Sequence, residues 1–464
     1  MKITLILAAA EHDPLRETDP FMPLSLPLLA ASAPGHEYAF VDMLAGESVD
    51  FDVPTDLVGV SARLTAERTA YQIAGEYRKR GVKVVLGGPQ ISSVPERAAA
   101  HADAVAVGEG ELLWPVIVAD AAAGALKKFY VASPEPFDGG GESVHRIPRF
   151  ADLATEIPRA ERRPYRKRYA FDTVYAARGC AVDCDFCSVP RLFGRAVRVR
   201  PTEEVVAEID TFRGMFYLLD DTIFGRPSTY GYYRDLYTRL ATLPKRRLWT
   251  GQANLDAAAS EEGREVIRAA ARAGLTYAAI GVESIDPRVL ERTGMIRKMG
   301  VGRGEDAVER MREHVRFIQS QGIFVSLWFV VGNEEDTLDT FEKDLAFADE
   351  LRALPVVCPL EALPGTRLET RLAAEGRIAT DKRINIRHPS LNDEQILGAM
   401  QDVNRRAFGA RAIFRRSFFH TPLYDRDEPR RGQRIRAKMQ KTMFTIMLQF
   451  HMRKGVIGLA NDFR

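Results

Sequence analysis

The sequence predicts an α/β protein with two successive parallel sheets followed by a helical carboxy-terminal region. Short apolar runs alternate with segments whose apolar residues recur at helical spacing, which is typical of parallel sheets covered by helices. This alternation occurs twice, on either side of a polar stretch without periodicity, and 464 residues are enough for two or three domains. A composition of 46% hydrophobic and 28% charged residues indicates a globular chain.

Residues 1–130 are predicted to form a Rossmann-like, flavodoxin-like sheet. The strand candidates are ITLILAA, YAFVDM, DLVGVSA, VKVVLGGP and DAVAVGEGE, and AERTAYQIAGEYRKRG is predicted to be a helix that ends at Gly81. The opening MKITLILAAA is too short to span a membrane and lacks a small-residue cleavage pattern, so we interpret it as a buried first strand.

Three polar segments, two of which contain glycines, follow strands of this first sheet, where ligands of such sheets bind. They are SAR at 61–63, GGPQ at 87–90 and GEGE at 108–111. Each glycine alone is explained by a tight turn, but three such segments at one sheet edge favour a ligand that approaches the backbone closely.

The second half is predicted to begin after a linker at residues 131–168, which contains PEPFDGGGES and the basic RAERRPYRKR. In residues 169–376 the strand candidates are DTVYAARG, MFYLLDD, RLWTGQAN, TYAAIGVES, FVSLWFVVG and PVVCPLEA. Six strand–helix units predict a parallel barrel, complete or partial, with functional residues at the carboxyl ends of its strands. Residues 377–464 are predicted to be mainly helical.

Three of the four cysteines, Cys180, Cys184 and Cys187, follow the first of these strands within eight positions. So few cysteines do not form a disulfide framework, and a close group indicates metal binding or redox chemistry in a reducing compartment. A structural zinc site usually needs four ligands, yet His145 lies well before the loop and Cys358 lies in an apolar strand pattern. Three thiolates leave one metal position open, and the open iron of an iron–sulfur cube can bind a substrate or cofactor.

The CxxxCxxC spacing after the first strand of a partial barrel resembles the radical SAM superfamily. This resemblance implies that Cys180, Cys184 and Cys187 hold a [4Fe–4S] cluster whose fourth iron is chelated by S-adenosylmethionine (SAM). It implies that an electron entering the sulfonium yields methionine and a 5′-deoxyadenosyl radical, and that the electron comes from an external reductant of flavodoxin or ferredoxin type.

The same resemblance implies SAM contacts at successive strand ends, in chain order. The implied contacts are Phe186 in the cysteine loop, Asp220 and Asp221 in YLLDDTIFG, Gln252 in TGQANL, and Glu283 and Ser284 in IGVESID. Taken singly, an aspartate pair is more often a helix cap and a buried glutamate more often an ion-pair partner. In EALPGTRL, Leu363 replaces the residue usual in relatives, which puts substrate contacts there in doubt.

The first half is similar to the cobalamin-binding domain that precedes many radical SAM enzymes, through VVLGGPQISSVPERAAAHADAVAVGEGE. The similarity implies cobalamin contacts at Arg63, Leu64, Gly87, Gly88, Pro89, Gln90, Gly108 and Glu109. Gln90 stands where histidine is frequent, and Arg63 could either lie under the corrin or be a surface cation. The domain could also keep the fold without the cofactor.

The branch that this chain resembles contains hopanoid C-methylases and the anaerobic magnesium-protoporphyrin ring cyclase. It implies cobalamin-dependent methylation of an unactivated carbon in a lipid, a tetrapyrrole or a natural product. Two alternatives stay open: a radical SAM cyclase or oxidative rearrangement enzyme, with or without cobalamin, and a non-catalytic metal-binding protein.

The net charge of +2 hides a basic carboxy-terminal segment, because residues 401–464 carry +10 and the rest of the chain −8. The segment is either a solvated helical face or a contact for an anionic membrane surface, and no nucleic-acid motif accompanies it. Its apolar residues Met443, Phe444, Met447, Leu448 and Phe450 fit core packing or a cap over an apolar substrate. We expect a cytoplasmic protein without a nucleic-acid partner, with peripheral contact at the inner membrane face as an alternative for this segment.

Overall fold

A computed structural model describes residues 1–10, 13, 16–17, 19–63, 65–162, 168–245, 247–302, 304–379, 384–420, 439, 442–443, 445–450 and 452–453. The chain divides into two compact units. The first comprises residues 1–173 and 191–200, and the second comprises residues 174–190 and 201–464.

The first unit is built on a seven-stranded parallel sheet. Its strands are β1 Lys2–Ala8, β2 Glu37–Asp42, β3 Leu57–Ala62, β4 Lys83–Gly87, β5 Ala104–Gly108, β6 Phe129–Ala132 and β7 Val144–Ile147. Their order is β2-β1-β3-β4-β5-β6-β7, and every neighbouring pair is parallel. The chain order therefore reverses at β1 and β3, the position in such sheets where loops diverge and ligands bind.

Helices cover this sheet, as its hydrophobic strands require. They are α1 Ser25–Ser32, α2 Glu67–Lys79, α3 Pro89–Ser93, α4 Pro95–Ala99 and α5 Gly110–Ala122. All residues of β1 after Lys2 are buried, which confirms the interpretation of the opening segment as a core strand.

Strands β6 and β7 were not predicted from the sequence. Strand β6 lies at the start of the predicted linker, and β7 lies within it. Strand β6 is fully buried but has only four residues, and β7 is a partly exposed strand at the sheet edge. Four residues are too few for a strand to be recognised from periodicity. In addition, β7 lies at the sheet edge and need not be apolar on both faces. The expected linker at 131–168 thus contributes to the sheet, and the domain limits themselves stay predictions.

The second unit contains a six-stranded sheet in the order β15-β14-β13-β12-β11-β8, with parallel pairing from β11 to β15. The strands are β8 Phe171–Val174, β11 Met215–Leu218, β12 Trp249–Ala253, β13 Leu275–Glu283, β14 Phe324–Val331 and β15 Leu354–Pro359. Two short strands, β9 Ala177–Arg178 and β10 Arg198–Val199, lie between β8 and β11 in the chain. The six-stranded partial (β/α)6 barrel confirms the α/β prediction.

Ten helices among the described residues accompany these strands. They are α6 Val189–Phe193, α7 Thr202–Asp210, α8 Tyr230–Ala241, α9 Glu261–Arg272, α10 Pro287–Arg292, α11 Ala307–Ser320, α12 Leu338–Glu350, α13 Arg367–Ala374, α14 Asp393–Ala407 and α15 Ala410–His420. Within the described part of the chain, none of the helices has both the length and the apolar character needed to cross a bilayer.

Helix α12 buries a carboxylic acid without a compensating charge. Asp344 is 1% exposed, and its Oδ1 atom has no hydrogen-bond partner among the described residues. Burial and the nearby Asp336 carboxylate raise the pKa of Asp344 to about 8. Asp336, in contrast, accepts hydrogen bonds from the backbone N–H groups of Gly332 and Asn333 at 2.8 and 2.9 Å. Asp344 is therefore largely protonated at neutral pH.

We expect Asp344→Asn to stabilise the protein in a pH-dependent manner. The pKa of Asp344 in the folded state lies above its ordinary value of 3.8, so the folded state retains a proton that the unfolded chain releases. The stability of the wild-type protein should therefore fall from about pH 4 to about pH 8 through this group. At pH 8 the variant should gain on the order of a few kcal/mol, since one pKa unit corresponds to about 1.4 kcal/mol, and the gain should vanish near pH 4.5.

Denaturant unfolding at the two pH values measures this effect. Asp339→Asn is the matched control, because Asp339 lies on the same helix but is exposed and pairs with Lys343 at 2.7 Å. An equal gain for Asp344→Asn at both pH values would contradict the explanation.

Candidate functional site

The three clustered cysteines occupy a loop directly after β9. Gly179 precedes Cys180 with a φ of 100°, a left-handed conformation that turns the chain out of the strand. All three cysteines are free, with Cys184 buried and the other two partly buried. The N–H of Gly179 donates to Oδ2 of Asp221 at 3.2 Å, which ties the start of the loop to the end of the neighbouring β11. The loop is therefore held by backbone contacts rather than by disulfides.

Burial makes these thiols poor acids in the absence of a bound cation. It raises the pKa of Cys184 to about 12 and of Cys187 to about 11, and it also raises the pKa of Cys180. Negative charge on one of the three thiolates raises the pKa of another, so the cysteines lie within electrostatic range of each other. Three thiolates at this site need positive charge to stabilise them, which fits iron–sulfur ligation.

The described residues contain no group of three or more His, Cys, Asp or Glu side chains arranged around a single metal ion. In a [4Fe–4S] cube each thiolate binds a different iron, so the three sulfurs need not converge on one point. The donor set thus fits a cluster with one iron left without a cysteine.

A buried ion pair lies beside the cysteines. Glu283, at the end of β13, and Lys298 are 8% and 6% exposed, and the Lys298 ammonium donates to Oε1 of Glu283. Burial disfavours the ammonium, but the charges of Glu283 and of the cysteine thiolates outweigh burial and raise the pKa of Lys298. The Lys298 charge in turn acts to lower the pKa of all three clustered cysteines.

The backbone of β13 is shaped to hold this pair. The register with β14 shifts between Gly281 and Glu283, and Glu283 has a φ of 64°, which is uncommon for a residue with a side chain. A Cβ atom on Gly281 would lie 2.3 Å from Oε1 of Glu283 and 2.9 Å from Nζ of Lys298. A side chain at position 281 would therefore displace the paired ends of Glu283 and Lys298, and the unusual φ of Glu283 occurs at a charged site.

Lys298 was missed by sequence reasoning. It lies in a short 3₁₀ turn, Met295–Lys298, and the adjacent Arg297 is equally basic but exposed. No local pattern distinguishes the two side chains. The sequence feature that could have indicated burial of this turn is the pair of methionines on either side, Met295 and Met299, which are both buried.

The two predicted aspartates have different surroundings. Asp220 is 1% exposed and accepts hydrogen bonds from the N–H groups of Ala176 and Ala177 at 2.7 and 3.0 Å and from the Tyr233 hydroxyl at 2.7 Å. It braces the chain that enters the cysteine loop, and burial raises its pKa to about 7. Asp221 is partly exposed and keeps acceptor capacity beside Cys180, whose pKa its charge raises.

The remaining predicted SAM residues lie along the same sheet edge or in the loop. Gln252 is exposed near the end of β12, and Phe186 is half-buried between Asp185 and Cys187. Ser284 is buried, and its Oγ accepts from the N–H of Asp286 at 3.0 Å, so it forms the turn after β13. Their roles in SAM binding stay predictions.

Cys358 lies in β15, as the apolar pattern indicated, and is only partly buried. Burial raises the pKa of Cys358 to about 12, and the charges of Glu283 and Glu361 contribute to the rise. Its environment is therefore acidic, which does not favour a thiolate ligand.

In the first unit, backbone conformation and close backbone contacts require glycine at two of the predicted cobalamin-binding positions, 88 and 108. Gly88 has a φ of 96°, and a Cβ atom there would lie 2.7 Å from the carbonyl oxygen of Ala62. Gly108 has a φ of 93°, and its Cβ would lie 2.2 Å from the carbonyl oxygen of Ala132 in β6. A Cβ on Gly87 would lie 3.4 Å from the Cβ of Ala106 and 3.6 Å from its carbonyl oxygen, which leaves room for a side chain. Close strand packing thus accounts for Gly88 and Gly108 with or without a ligand.

Polar side chains near these glycines are engaged within the first unit. Gln90, which follows Pro89 at the start of α3, donates to Glu67 at 2.5 Å. Glu109 is buried and accepts two hydrogen bonds from Arg198, at 3.0 and 3.1 Å, and one from the N–H of Ala151 at 2.6 Å.

Arg63 forms an ion pair with Asp19 at 3.9 Å, and Leu64 lies outside the described residues. The cobalamin contacts of all these residues stay predictions.

Comparison with known proteins gives a consistent result. Residues 174–348 match the model of the radical SAM superfamily. The chain is 25% identical over 356 residues to bacteriochlorophyllide d C-12(1)-methyltransferase of Chlorobaculum tepidum, covering 74% of this chain and 72% of that protein. It is 34% identical over 190 residues to the C-8(2)-methyltransferase of the same organism, covering 41% and 40%. Hopanoid C-2 methylase of Rhodopseudomonas palustris is 28% identical over 258 residues, covering 54% and 47%.

Solved structures share the fold at low sequence identity. The cobalamin-dependent SAM radical enzyme OxsB, with aqua-cobalamin and SAM bound, has a TM-score of 0.69 and 17% identity over 96% of this chain and 72% of its own. The radical SAM methyltransferase TsrM from Kitasatospora setae has a TM-score of 0.63 and 17% identity over 86% and 84%. Residues 174–348 are therefore a radical SAM domain, and the three free cysteines in the loop after β9 lie near its start.

Proposed function

We propose that this protein is a cobalamin-dependent radical SAM C-methyltransferase that methylates an unactivated carbon of a tetrapyrrole or a lipid. The observation that carries the proposal is the loop of three free cysteines within electrostatic range of Lys298, in a chain whose relatives are methyltransferases. The relatives act on bacteriochlorophyllides and hopanoids, as their names state.

Cys180, Cys184 and Cys187 would hold the cluster, which supplies the electron for SAM cleavage, while cobalamin supplies the methyl group. Lys298 stabilises the thiolates by its charge and offers a cation for a carboxylate, and Glu283 and Asp221 offer anions for an ammonium. This arrangement of opposite charges complements the amino-acid end of SAM. The partial barrel supports the site on rigid strand ends, which orients the groups and limits water.

Cobalamin is assigned to the first unit. Support comes from its flavodoxin-like strand order, with Arg63, Gly87, Gly88, Gln90 and Gly108 at or directly after the carboxyl ends of neighbouring strands. The reductant is an external one-electron donor.

For the carboxy-terminal segment we propose peripheral contact with an anionic membrane surface. Met439, Met443, Met447 and Phe450 are exposed, although Leu448 is buried, and basic residues surround them in the sequence. Phe444 lies outside the described residues.

Anaerobic reconstitution of the full chain with iron, sulfide, SAM and hydroxocobalamin tests the proposed function. We expect a bound corrin spectrum and a [4Fe–4S] spectrum, and formation of both 5′-deoxyadenosine and S-adenosylhomocysteine with bacteriochlorophyllide d or a hopanoid as substrate probe. Formation of 5′-deoxyadenosine without S-adenosylhomocysteine would instead support a cyclase or rearrangement enzyme. A colourless protein that contains zinc would contradict both the methyltransferase and the cyclase or rearrangement enzyme.

We expect Cys184→Ala to abolish the cluster and SAM cleavage together, because the loop has no fourth cysteine that could replace it. Cys358→Ala is the matched control and should keep both, since Cys358 faces the carboxylates Glu283 and Glu361. Iron content and 5′-deoxyadenosine formation are the measurements. Loss of the cluster from Cys358→Ala would show that the ligand set is wrong.

We expect Lys298→Met to weaken SAM binding by about tenfold or more while the cluster still forms, because a hydrogen bond to a charged group contributes roughly 1.5–3 kcal/mol. Equilibrium dialysis with SAM and iron analysis on the same sample check this. Arg297→Met is the matched control, since Arg297 is adjacent and exposed. Unchanged SAM affinity in Lys298→Met would restrict Lys298 to a structural role.

A further inference from the structure

The segment that follows the cysteine loop is part of the first unit. The cysteines lie in residues 174–190 of the second unit, whereas residues 191–200 belong to the first unit. Helix α6, Val189–Phe193, begins two residues after Cys187, and the chain passes from one unit to the other within it. The contacts that hold residues 191–200 therefore also determine where one end of the cysteine loop lies.

A buried ion pair of the first unit holds this segment. The Glu109 side chain is fully buried, and the side chain of Arg198 is 19% exposed. Arg198 donates from Nη1 to Oε2 of Glu109 at 3.0 Å and from Nη2 to Oε1 at 3.1 Å. The N–H of Ala151 also donates to Oε2, at 2.6 Å. A bidentate pair of this kind fixes the orientation of the guanidinium group as well as its charge.

Arg198 uses the same two nitrogen atoms to hold the backbone around it. Nη1 donates to the carbonyl oxygen of Ala151 at 2.7 Å, and Nη2 donates to that of Phe193 at 3.0 Å. The guanidinium group also lies over the Phe150 ring, 4.9 Å from its centroid. Phe193 is the last residue of α6, so Arg198 fixes the carboxyl end of this helix.

The other end of α6 contacts a cluster ligand. Burial raises the pKa of the Cys187 thiol, and a hydrogen bond from the Val189 backbone N–H to its sulfur acts in the opposite direction. Helix α6 has five residues and is therefore only roughly 6 Å long, at 1.5 Å per residue. A helix this short leaves its first residue little freedom once its last residue is fixed.

We propose that Glu109 is a positioning residue for the iron–sulfur cluster: through Arg198 it fixes helix α6, and with it the position of Cys187. The resemblance to cobalamin-binding domains implied a corrin contact at Glu109, but both of its carboxylate oxygens accept hydrogen bonds within the first unit. The inference rests on the assignment of the cluster to the three cysteines in the proposed function. It is independent of the methyl acceptor, and it gives the first unit a role in holding the cluster even before cobalamin binds.

The test is the rate at which the reconstituted full chain, without cobalamin, loses iron to a chelator. Glu109→Gln and Arg198→Met each leave one buried charge without its partner, so α6 is no longer held. Each should release iron about tenfold faster than wild type, the lower end of the effect of removing groups that orient metal ligands. The double variant should release iron no faster than either single variant, because both changes remove one interaction. Arg198→Lys, which keeps the charge, should lie between wild type and Arg198→Met.

Trypsin digestion of the metal-free chain is a second measurement that does not need the cluster. Arg191 and Arg195 are exposed and lie between the cysteine loop and Arg198. In both Glu109→Gln and Arg198→Met, cleavage after these residues should be faster than in wild type.

Tyr130→Phe is the matched control. Tyr130 is 0% exposed in β6 of the first unit, and its hydroxyl donates to Asp120 at 2.7 Å. The variant loses a buried hydrogen bond of this unit without touching residues 191–200, so it should release iron as wild type does. Equal acceleration in Tyr130→Phe would show that any loss of stability has this effect and would overturn the inference.

Three further results separate the inference from its alternatives. Wild-type rates of iron release in both Glu109→Gln and Arg198→Met would overturn it. Weaker hydroxocobalamin binding in Glu109→Gln alone, with an unchanged cluster, would do the same and would favour a direct corrin contact. A wild-type chain that binds no iron would contradict both the ligand set and the inference. A wild-type chain that holds the cluster but forms no S-adenosylhomocysteine with either substrate probe would overturn only the proposed methyl transfer.

Discussion

The arrangement of the functional site in the second unit depends on three clustered thiol groups, one buried and two partly buried, that need positive charge nearby. Burial raises the pKa of each of these cysteines, so thiolates form there only with a cation to stabilise them. Lys298 provides one positive charge, and a cluster would provide the rest. Because Lys298 is itself buried, its charge needs Glu283, and Gly281 leaves room for the paired ends of the two side chains. One electrostatic requirement therefore accounts for side chains on separate segments of the chain.

Parallel strands make this concentration of charge possible. Their carboxyl ends meet at one edge, so residues that are far apart in sequence become neighbours there. Some charged residues at this edge have a structural role. The Asp220 carboxylate accepts hydrogen bonds from Ala176, Ala177 and Tyr233 and so holds the chain that enters the cysteine loop. The adjacent Asp221 is left with acceptor capacity toward the site. Two identical residues in succession thus have different hydrogen-bond partners and different roles.

Strands with long apolar runs were predictable, because their periodicity reflects burial on both faces of a parallel sheet. Strands β1, β13 and β14 are of this kind. Strand β7, VHRI, was not, since it is short and partly exposed at an edge. Gly88, directly after β4, and Gly108, the last residue of β5, illustrate a second limit of prediction from sequence. Their pattern indicated a ligand, but the close backbone contacts of Gly88 and Gly108 would require glycine in either case.

The α/β class, the two successive sheets and the three-cysteine motif could be predicted before the fold was known, because periodicity and ligand spacing are local properties of the chain. The fold was needed to identify the charged residues that act on the cysteines. Lys298 and Arg297 are adjacent and chemically similar, yet one is buried against Glu283 and the other is exposed. Burial and pairing of charge depend on contacts between distant segments, and such contacts leave no mark on local sequence.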